Sequence, residues 1–487
     1  MAEGLDLVIH GGTVVTPDGV AETDVEIAGG RIARLGRGLP AAETVDARGL
    51  LVLPGGVDAH CHIDQMTSTG ARTADDFHDA SVGAAFGGTT TLIAFAAQHR
   101  GQRLAAVVED YRARAEGRAV VDYGFHMIVT DAGPRTVEED IPALVAQGFT
   151  SIKIYLTYDA LKLADTAALD VMLAARRLGA MTMVHAESHD IIAWLTSRML
   201  ASGHGSLRHY PFSRPALAER DATHHAITLA ELVETPIVVV HVSSAEALEQ
   251  IRWARARGQP IFAETCPQYL TLTADDLDRQ PEEAVKFCCS PPMRDEDSQD
   301  ALWRGMAEGA VSLVSSDHSA FRMEGPEGKL RAGPDPAFNQ VPYGLPGIEA
   351  RLPLVFSEGV SAGRIGIERF VELTSTAPAR LYGLAGRKGV IAPGADADIA
   401  LWDAKARRRI TAADLHDGVG YTPYEGRDIT GWPVATFVRG KAVMRDGQLL
   451  ARPGHGRLLA RNLPGVPARS APDGRRRFDV MECRMID

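Results

Sequence analysis

Two histidines one residue apart, His60 and His62, follow a short apolar run that begins at Gly55. In an extended strand, residues i and i+2 point to the same face, so the two imidazoles project together. Two neutral imidazoles on one face can chelate a borderline metal such as zinc. Because a lone His-x-His pair is weak evidence for a metal site, the prediction requires further ligands elsewhere in the chain.

Four later stretches contain further residues that can bind a metal. Each lies in, or at the end of, a short apolar run of the kind that forms a buried parallel strand. These stretches contain Lys153, His185, His241 and Asp317. Four histidines, an aspartate and a buried lysine exceed the three protein ligands that one catalytic zinc takes. The set therefore fits two metal ions, provided that an anionic group bridges them.

The elements that must position these residues form a repeat. Eight apolar runs alternate with segments of helical spacing through the middle of the chain. Eight strand–helix repeats predict an α/β fold with a parallel (β/α)8 barrel of the TIM type, in which active sites occupy the C-terminal ends of the strands. The predicted strands are Gly56–His60, Thr89–Phe95, Tyr123–Val129, Ser151–Tyr155, Met181–His185, Pro236–His241, Pro260–Thr265 and Val311–Ser315.

Both ends of the chain have a different pattern, in which short alternating strands are joined by glycine turns. These strands cover residues 6–16, 24–35, 398–402 and 434–450, the last as a hairpin that turns at Asp446-Gly447. We predict that they form one small β-sandwich domain. The expected boundaries are 1–54 and 385–465 for the small β-domain, 55–384 for the catalytic barrel and 466–487 for an extended C-terminal tail.

Composition narrows the class of protein. The 487 residues carry a net charge of -12, which argues against nucleic acid or an anionic membrane as the main partner. No uninterrupted apolar run approaches the length that spans a membrane. The five cysteines are odd in number and show no paired framework, so we expect reduced thiols in a cytoplasmic protein.

From about residue 5 to residue 460 the chain resembles the dihydropyrimidinase/hydantoinase branch of the amidohydrolase superfamily. The matching motifs occur in the order typical of that family. They are His60-Cys61-His62-Ile63-Asp64, Gly87-Gly88-Thr89-Thr90, Ser151-Ile152-Lys153 with Tyr158, His185-Ala186-Glu187, Glu264-Thr265-Cys266-Pro267-Gln268-Tyr269-Leu270, Cys289-Ser290-Pro291-Pro292, Ser316-Asp317-His318 and Gly394-Ala395-Asp396-Ala397-Asp398.

The resemblance implies a binuclear site with two divalent metal ions, usually zinc. Lys153 would be carboxylated on its ε-nitrogen, and this carbamate would bridge the two metals. Carbamate formation removes a buried ammonium charge beside two dications and supplies the missing anion. By the same resemblance, one metal would be held by His60, His62 and Asp317, and the other by His185 and His241.

The resemblance also implies a reaction. A hydroxide between the metals would open a cyclic amide or imide, such as a dihydropyrimidine or a 5-substituted hydantoin, to an N-carbamoyl amino acid. Asp317 would move the proton to the departing nitrogen, and Tyr158 would donate to the oxyanion. Ser290 and Tyr343 would bind the imide edge of the ring through backbone groups. The family consists of homotetramers, so we expect a homo-oligomer, either a tetramer or a dimer.

The sequence departs from the family at four positions. Tyr343 stands where Asn is common, Ala94 where Asp is common, Ser188 where Asn is common, and Cys61 where Thr is common. None of these changes removes a metal ligand, so they bear on the substrate. Asp64 disfavours dihydroorotase, which has arginine there, and allantoinase, which has asparagine. A related cyclic imide or heterocyclic amide hydrolase remains the alternative, and a non-catalytic scaffold is disfavoured because every ligand is retained.

Overall fold

Two large sheets organise the chain in the computed structural model, which describes residues 5–36, 41–67, 70–467, 477–479 and 481–486. The described strands, numbered in chain order, are β1 (Leu5–Thr16), β2 (Gly19–Ala28), β3 (Arg31–Leu35), β4 (Ala41–Asp46), β5 (Leu51–Pro54), β6 (Gly56–Cys61), β7 (Thr89–Ala97), β8 (Asp122–Ile128), β9 (Ser151–Tyr155), β10 (Met181–His185), β11 (Ile237–Val239), β12 (Ile261–Thr265), β13 (Leu313–Val314), β14 (Ile399–Arg409), β15 (Asp428–Val438), β16 (Lys441–Arg445), β17 (Gln448–Leu449), β18 (Arg477–Asp479) and β19 (Arg484–Ile486).

Helices fill most connections between the central strands. The described α-helices are α1 (Phe77–Phe86), α2 (Leu104–Ala115), α3 (Ile141–Ala146), α4 (Asp165–Leu178), α5 (His189–Ala201), α6 (Tyr210–Ser213), α7 (Ala216–Leu232), α8 (Ala245–Ala256), α9 (Pro267–Thr271), α10 (Pro281–Ala284), α11 (Glu296–Glu308), α12 (Arg351–Val355), α13 (Ile367–Val371) and α14 (Ala377–Leu381). Short 3₁₀ turns and three π-helical segments, Arg135–Asp140, Phe356–Ser361 and Glu372–Thr376, complete the helical parts.

The central sheet is the predicted barrel. Strands β6 to β13 lie side by side in chain order, and every pair is parallel. A parallel bridge between Cys61 and His318 brings the first strand next to the segment after the last. Strands β6 to β10 are buried along their whole length, as strands covered by helices on the outside and packed on the inside must be. The predicted (β/α)8 fold is confirmed.

The glycine pair before β7 has a packing reason. A Cβ on Gly87 would lie 2.3 Å from the carbonyl oxygen of Glu349, and Gly88 has a φ of +81°. A side chain at the first position would collide with backbone, and the second position adopts a conformation that L-residues rarely take. This pair therefore allows α1 to end and β7 to begin against the segment that closes the barrel.

The small β-domain is built from both chain ends, as predicted. Strands β1 to β5 and β14 to β17 form one sheet of nine described strands, joined where β5 pairs antiparallel with β14. Its apolar side chains form a core separate from that of the barrel. The predicted hairpin at 434–450 is in fact three strands, because a turn at Arg439-Gly440 precedes the one at Asp446-Gly447.

Of the predicted extended tail, residues 468–476, 480 and 487 lie outside the described residues. The end of the chain forms a two-stranded antiparallel sheet of β18 and β19. Arg177 at the end of α4 donates a hydrogen bond to the carbonyl oxygen of Met481 at 3.2 Å. Among the described residues, no helix is long and apolar enough to cross a membrane.

Candidate metal centre and active site

All six predicted metal ligands meet at the C-terminal ends of the barrel strands. They belong to five strands: β9, β10 and β11 are neighbours in the sheet, and β6 and β13 are its two ends, which meet where the barrel closes. His60 lies in β6 with His62 just beyond it, Lys153 lies in β9, His185 ends β10, His241 follows β11 and Asp317 follows β13. Parallel strands direct their C-terminal ends to the same side of a barrel, so residues far apart in sequence converge there.

Three of these side chains form a compact cluster of ligand atoms. The Oδ1 atom of Asp317 lies 3.1 Å from Nε2 of His60 and 3.5 Å from Nε2 of His62. The ligand atoms of the three residues all lie within 4.8 Å of one another. Lys153 adjoins this cluster, with its Nζ 2.9 Å from Nε2 of His60. Two imidazoles and a carboxylate are a donor set that zinc accepts.

The remaining two histidines form a second pair beside the lysine. Nδ1 of His185 lies 2.9 Å from Nε2 of His241. Both side chains are buried, at 3% and 2% exposure. Within the described residues, Nδ1 of His241 has no hydrogen-bond partner. Two ring nitrogens that face each other at this distance leave at least one lone pair available to a cation.

Hydrogen bonds on the outer side of the rings determine which nitrogen faces inward with a lone pair. Nδ1 of His60 lies 2.5 Å from Oε1 of Glu264, and Nδ1 of His62 lies 2.7 Å from Oε1 of Gln65. Nε2 of His185 lies 2.8 Å from Oε2 of Glu187. Since oxygen acceptors require an N–H, each ring carries its proton on the outer nitrogen. This is the tautomer that metal-binding histidines adopt.

The electrostatics favour neutral nitrogen donors at every site nitrogen except His60, whose pKa is raised because Glu264 and Asp317 outweigh its burial. Burial lowers the pKa of His62 to about 4, and burial also lowers the pKa values of His185 and His241. Burial lowers the pKa of Lys153 to about 8, an effect that Asp317 and Glu264 partly oppose. Neutral imidazoles beside a carboxylate fit divalent cations, which compete with protons for the same lone pairs.

Three site residues hold strained backbone conformations. Tyr158, His241 and Asp317 have φ angles of 69°, 39° and 49°. Non-glycine residues in this region each cost about 1–3 kcal/mol and persist where the surroundings enforce them. All three follow barrel strands, and the strain turns their side chains toward the site instead of continuing the strand.

A cavity of about 170 Å³, open to solvent on one side, lies above the ligand cluster. Tyr158, Ser290 and Tyr343 line it together with the ligands. The Tyr158 hydroxyl donates a hydrogen bond to Oγ of Ser290 at 2.5 Å. The Ser290 hydroxyl in turn donates to Oε2 of Glu187 at 2.9 Å. The hydroxyl of Tyr343 donates to the carbonyl oxygen of Phe338 at 3.0 Å. The three predicted substrate residues are therefore on one cavity wall.

Residues 51–443 match the amidohydrolase family. The chain is 40% identical over 456 residues to D-hydantoinase of Geobacillus stearothermophilus. This match covers 93% of this chain and 96% of that protein. It is 40% identical over 470 residues to D-phenylhydantoinase of Escherichia coli, with 95% and 99% covered. The chain belongs to the amidohydrolase family.

Within this family, the relatives belong to the dihydropyrimidinase/hydantoinase branch, as the sequence motifs indicated. The crystal structure of dihydropyrimidinase from Brevibacillus agri matches this amidohydrolase with a TM-score of 0.91 and 38% identity. The match covers 94% of this chain and 99% of that one. The likeness therefore extends over both the barrel and the small β-domain.

Of the four positions where this amidohydrolase departs from the common pattern, Tyr343 alone lines the cavity in the described part of the chain. Its ring stacks on Tyr210 with centroids 4.8 Å apart and an interplanar angle of 19°. Cys61 and Ala94 are paired in the buried interior of β6 and β7, and Ser188 precedes α5. These three positions therefore contribute no side chain to the described cavity wall.

Sequence reasoning did not assign the residues that support the ligands. Glu264 and Glu187 stand in the family motifs, and a charged residue inside or directly after a buried strand was a usable signal for both. Gln65 lies three residues after His62 in an irregular segment, where no periodicity predicts its direction. Arg214 lies in a short connection after α6 and enters the cavity wall, and its position becomes evident only in the folded chain.

Proposed function

We propose that this amidohydrolase hydrolyses a C–N bond of a cyclic amide or imide, opening a dihydropyrimidine or a 5-substituted hydantoin to an N-carbamoyl amino acid. The observation that carries the proposal is the convergence of the six predicted ligands at one rim of the barrel, with the outer ring nitrogens of His60, His62 and His185 held by oxygen acceptors. The names of the relatives, D-hydantoinase, D-phenylhydantoinase and dihydropyrimidinase, support this class of ring.

The proposed cofactor is a pair of zinc ions bridged by Lys153 carboxylated at Nζ. A buried lysine whose pKa is lowered to about 8 supplies the neutral amine that reacts with carbon dioxide. The resulting carbamate replaces a buried cation by an anion, which two neighbouring dications stabilise. His60, His62 and Asp317 would hold one ion, and His185 and His241 the other.

When bound, the two cations lower the pKa of water and polarise the substrate carbonyl. Asp317 has the position for proton transfer, because its Oδ1 lies at the ligand cluster and its side chain lines the cavity. Burial opposes ionisation of this carboxyl, but the neighbouring His60 and His62 hold its pKa well below its ordinary value. We propose that Asp317 accepts a proton from the attacking water and passes it to the departing ring nitrogen.

Two further contacts would orient the ring. Burial raises the pKa of Tyr158 to about 12, so its hydroxyl keeps its proton. This hydroxyl donates to Ser290 in the structure and would turn to the oxyanion when substrate binds. The side chain of Tyr343 is engaged with Phe338 and Tyr210, which leaves its backbone as the group available to the substrate. Backbone groups of Ser290 and Tyr343 would then bind the imide edge.

The test is ring opening by zinc-reconstituted protein, followed as loss of amide absorbance on dihydrouracil, phenylhydantoin, allantoin and a simple cyclic imide. Turnover of dihydrouracil or phenylhydantoin supports the proposal and ranks the two ring classes. Two bound metals without turnover of either ring would contradict it and favour the alternative, a hydrolase of another cyclic imide or heterocyclic amide. Tyr343 is the cavity residue that favours this alternative.

The same experiment addresses a scaffold without catalytic activity. That alternative is disfavoured because this chain has every ligand that its family uses. If the folded protein took up no metal from a zinc-containing buffer, that result would support a scaffold without catalytic activity. Metal content by atomic emission is the measurement.

We also infer that the enzyme forms a homo-oligomer, a tetramer or a dimer, in the cytoplasm. Large aromatic side chains are exposed on three helices: Trp194 of α5 is 59% exposed, Phe212 of α6 is 66% exposed, and Trp253 of α8 is 42% exposed. Aromatic side chains are enriched in the cores of protein–protein interfaces. Sedimentation of a monomer would contradict the oligomer.

A further inference from the structure

Arg214 is a buried cation in the wall of the catalytic cavity. Its side chain is 7% exposed, and it lines the cavity with Tyr158, Ser290 and Tyr343. Its Nη1 donates to Oε2 of Glu187 at 2.6 Å. Burial opposes its positive charge, but Glu187 holds the pKa of the guanidinium well above its ordinary value. Arg214 is therefore a permanent charge beside the proposed substrate residues.

Most hydrogen-bond donors of this guanidinium are unused by the protein. Arginine has five N–H donors, and among the described residues Glu187 is the only acceptor that the Arg214 side chain reaches. The equally buried Arg294 differs, since its guanidinium donates to Ser243, to Glu219 and to the carbonyl oxygen of Arg214. The donors of Arg294 are used inside the protein, whereas those of Arg214 remain for a ligand in the cavity.

Two aromatic rings contact the Arg214 guanidinium. Its central carbon lies 5.0 Å from the ring centroid of Tyr158 and 5.4 Å from that of Tyr343. The Tyr343 ring is itself stacked on Tyr210. A guanidinium held between rings loses little further entropy when it binds an acceptor, so its donors are pre-organised.

The position of Arg214 relates it to one part of the substrate. Oγ of Ser290 and Nη1 of Arg214 both bond the same oxygen of Glu187. Resting on the proposed function, in which Ser290 binds the imide edge, this juxtaposition brings Arg214 to the ring carbonyl remote from the metal ligands. We propose that Arg214 is a catalytic residue that donates a hydrogen bond to the carbonyl oxygen that is not attacked.

This contact would stabilise the leaving group. The oxygen of water bonds to the attacked carbonyl carbon, and the bond from that carbon to the ring nitrogen breaks. The electron pair of the broken bond passes to the nitrogen and is delocalised onto the second carbonyl oxygen, while Asp317 returns a proton to the nitrogen. The products are a carboxylate and a terminal amide or urea. A charged donor at that oxygen acts where negative charge develops during bond breaking.

The consequence concerns substrate class. Hydantoins, dihydropyrimidines and cyclic imides all carry a second carbonyl next to the departing nitrogen. A simple lactam has none, so Arg214 would give it no assistance. The residue therefore selects rings whose leaving nitrogen is conjugated to a carbonyl oxygen.

The test compares a 5-substituted hydantoin with its analogue that carries sulfur in place of the unattacked carbonyl oxygen, because sulfur is the weaker acceptor. Zinc-loaded full-length wild type, Arg214→Gln and Arg214→Lys are assayed with both rings. We expect Arg214→Gln to lose about 10²–10³-fold in kcat on the oxygen compound, as removal of one oxyanion donor does. We expect its ratio of kcat/KM for oxygen over sulfur to fall at least about tenfold below that of the wild type, with Arg214→Lys in between.

Arg294→Lys is the matched control, because it alters a buried arginine that does not line the cavity, and its oxygen-to-sulfur ratio should equal that of the wild type. Metal content and thermal unfolding are measured for each variant. If Arg214→Gln loses metal or fold, Arg214→Lys decides the matter, since it keeps a positive charge beside Glu187. Unchanged ratios in folded, metal-loaded Arg214 variants would overturn the inference and leave Arg214 as a partner of Glu187. A wild type that opens neither ring would instead overturn the proposed function, and the inference with it.

Discussion

Two lysines of this chain are equally buried and have opposite surroundings. Lys153 at the catalytic rim and Lys388 beneath the small β-domain are each 1% exposed. Nζ of Lys388 lies 2.7 Å from Asp122, 2.6 Å from Asp398 and 3.1 Å from Asp396. Lys153 forms no ion pair with any described carboxylate.

The neighbours of Lys153 are an imidazole and two aromatic rings. Its Nζ lies 2.9 Å from His60, 4.1 Å from the ring centroid of Phe95 and 5.0 Å from that of Tyr155. Burial lowers its pKa to about 8, whereas the three carboxylates outweigh burial and raise the pKa of Lys388. A lysine that is left unpaired in the interior is available for chemistry, and one surrounded by carboxylates holds two domains together.

The largest expected effect is on turnover. If Lys153 bridges two metals as proposed, Lys153→Met should abolish tight binding of both metals and reduce ring opening by at least ~10⁴-fold, because the bridge would be lost and metal chemistry supplies several kcal/mol of the rate enhancement. Atomic emission on the purified variant gives the metal content, and the ring-opening assay gives the rate. Two metals retained per chain would be incompatible with a bridging role.

A substitution of Asp317 tests whether this carboxylate transfers a proton during the reaction. Asp317→Asn should keep the fold and lower kcat by about 10³–10⁴-fold, since an amide cannot accept the proton of the attacking water. Circular dichroism and thermal unfolding serve as controls for the fold. Near-normal turnover of the folded variant would remove Asp317 from proton transfer.

For Lys388 the expectation is reversed. Lys388→Met should lower the free energy of unfolding by about 3–5 kcal/mol, because Asp398 is left as a buried charge without a cationic partner among the described side chains, whereas Asp122 keeps its ion pair with Arg439. The kcat of the folded, metal-loaded fraction should stay unchanged, as Lys388 does not line the cavity. Denaturant titration combined with the ring-opening assay separates the two quantities. A variant with normal stability and reduced kcat would reverse the comparison.

In the metal-free protein, the two lysines should have opposite effects on the free energy of unfolding. The folded-state pKa of Lys153, about 8, lies below the unfolded value near 10.4, so at neutral pH folding is penalised by roughly 3 kcal/mol for burying an ammonium group. Metal-free Lys153→Met should therefore be more stable than metal-free wild type by about that amount at pH 7. The advantage should shrink as pH rises from 8 to above 10, where the lysine is neutral in both states.

The charge of Lys388, unlike that of Lys153, contributes favourably to the free energy of folding. Its folded-state pKa is raised, so its stabilisation is fully present below the unfolded pKa and is lost only as pH rises through the folded value. Urea titrations of both metal-free variants between pH 7 and 10 measure the two trends. Parallel pH dependence of the two differences would contradict the assignment of their charge states.

The smallest effect is expected at the edge of the Lys388 cluster. Asp396→Asn should lower the free energy of unfolding by about 1 kcal/mol, because Asp398 and Asp122 still neutralise the lysine and an amide oxygen can accept its hydrogen bond. Thermal unfolding against wild type is a sufficient measurement. A loss as large as that of Lys388→Met would mean that Asp396 is the principal counterion.

The same two lysines differ in how far their roles could be predicted from sequence. A lysine inside an apolar strand is a local anomaly, and with the strand-end histidines it predicted the barrel rim and its ligands. Lys388 lies in a loop, and its partners Asp122 and Asp398 lie 266 and 10 residues away in sequence. Local periodicity contains no information about such a contact. The motif Gly394-Ala395-Asp396-Ala397-Asp398 identified the family while its physical role, neutralising Lys388, required the fold.

The cavity wall was predictable to a similar extent. Tyr158 and Ser290 stood in motifs and lie on one wall, joined by a hydrogen bond. Arg214 comes from a connection between two helices, where spacing rules assign no direction to a side chain. Its contact with Glu187 depends on how those helices pack over the rim, which is a property of tertiary structure.

The pairing of β5 with β14 also bears on how the protein is made. Residues 51–54 leave the ribosome early, but their antiparallel partners, residues 399–402, are synthesised about 350 residues later. At 5–20 residues per second, the N-terminal strands wait roughly 20–70 s with one sheet edge uncovered. The barrel strands emerge during that interval and can associate in order, so the strand that covers this edge is made after all the strands of the barrel. Chains truncated before residue 399 would thus keep an unpaired edge at β5, and such fragments should associate with chaperones or with one another.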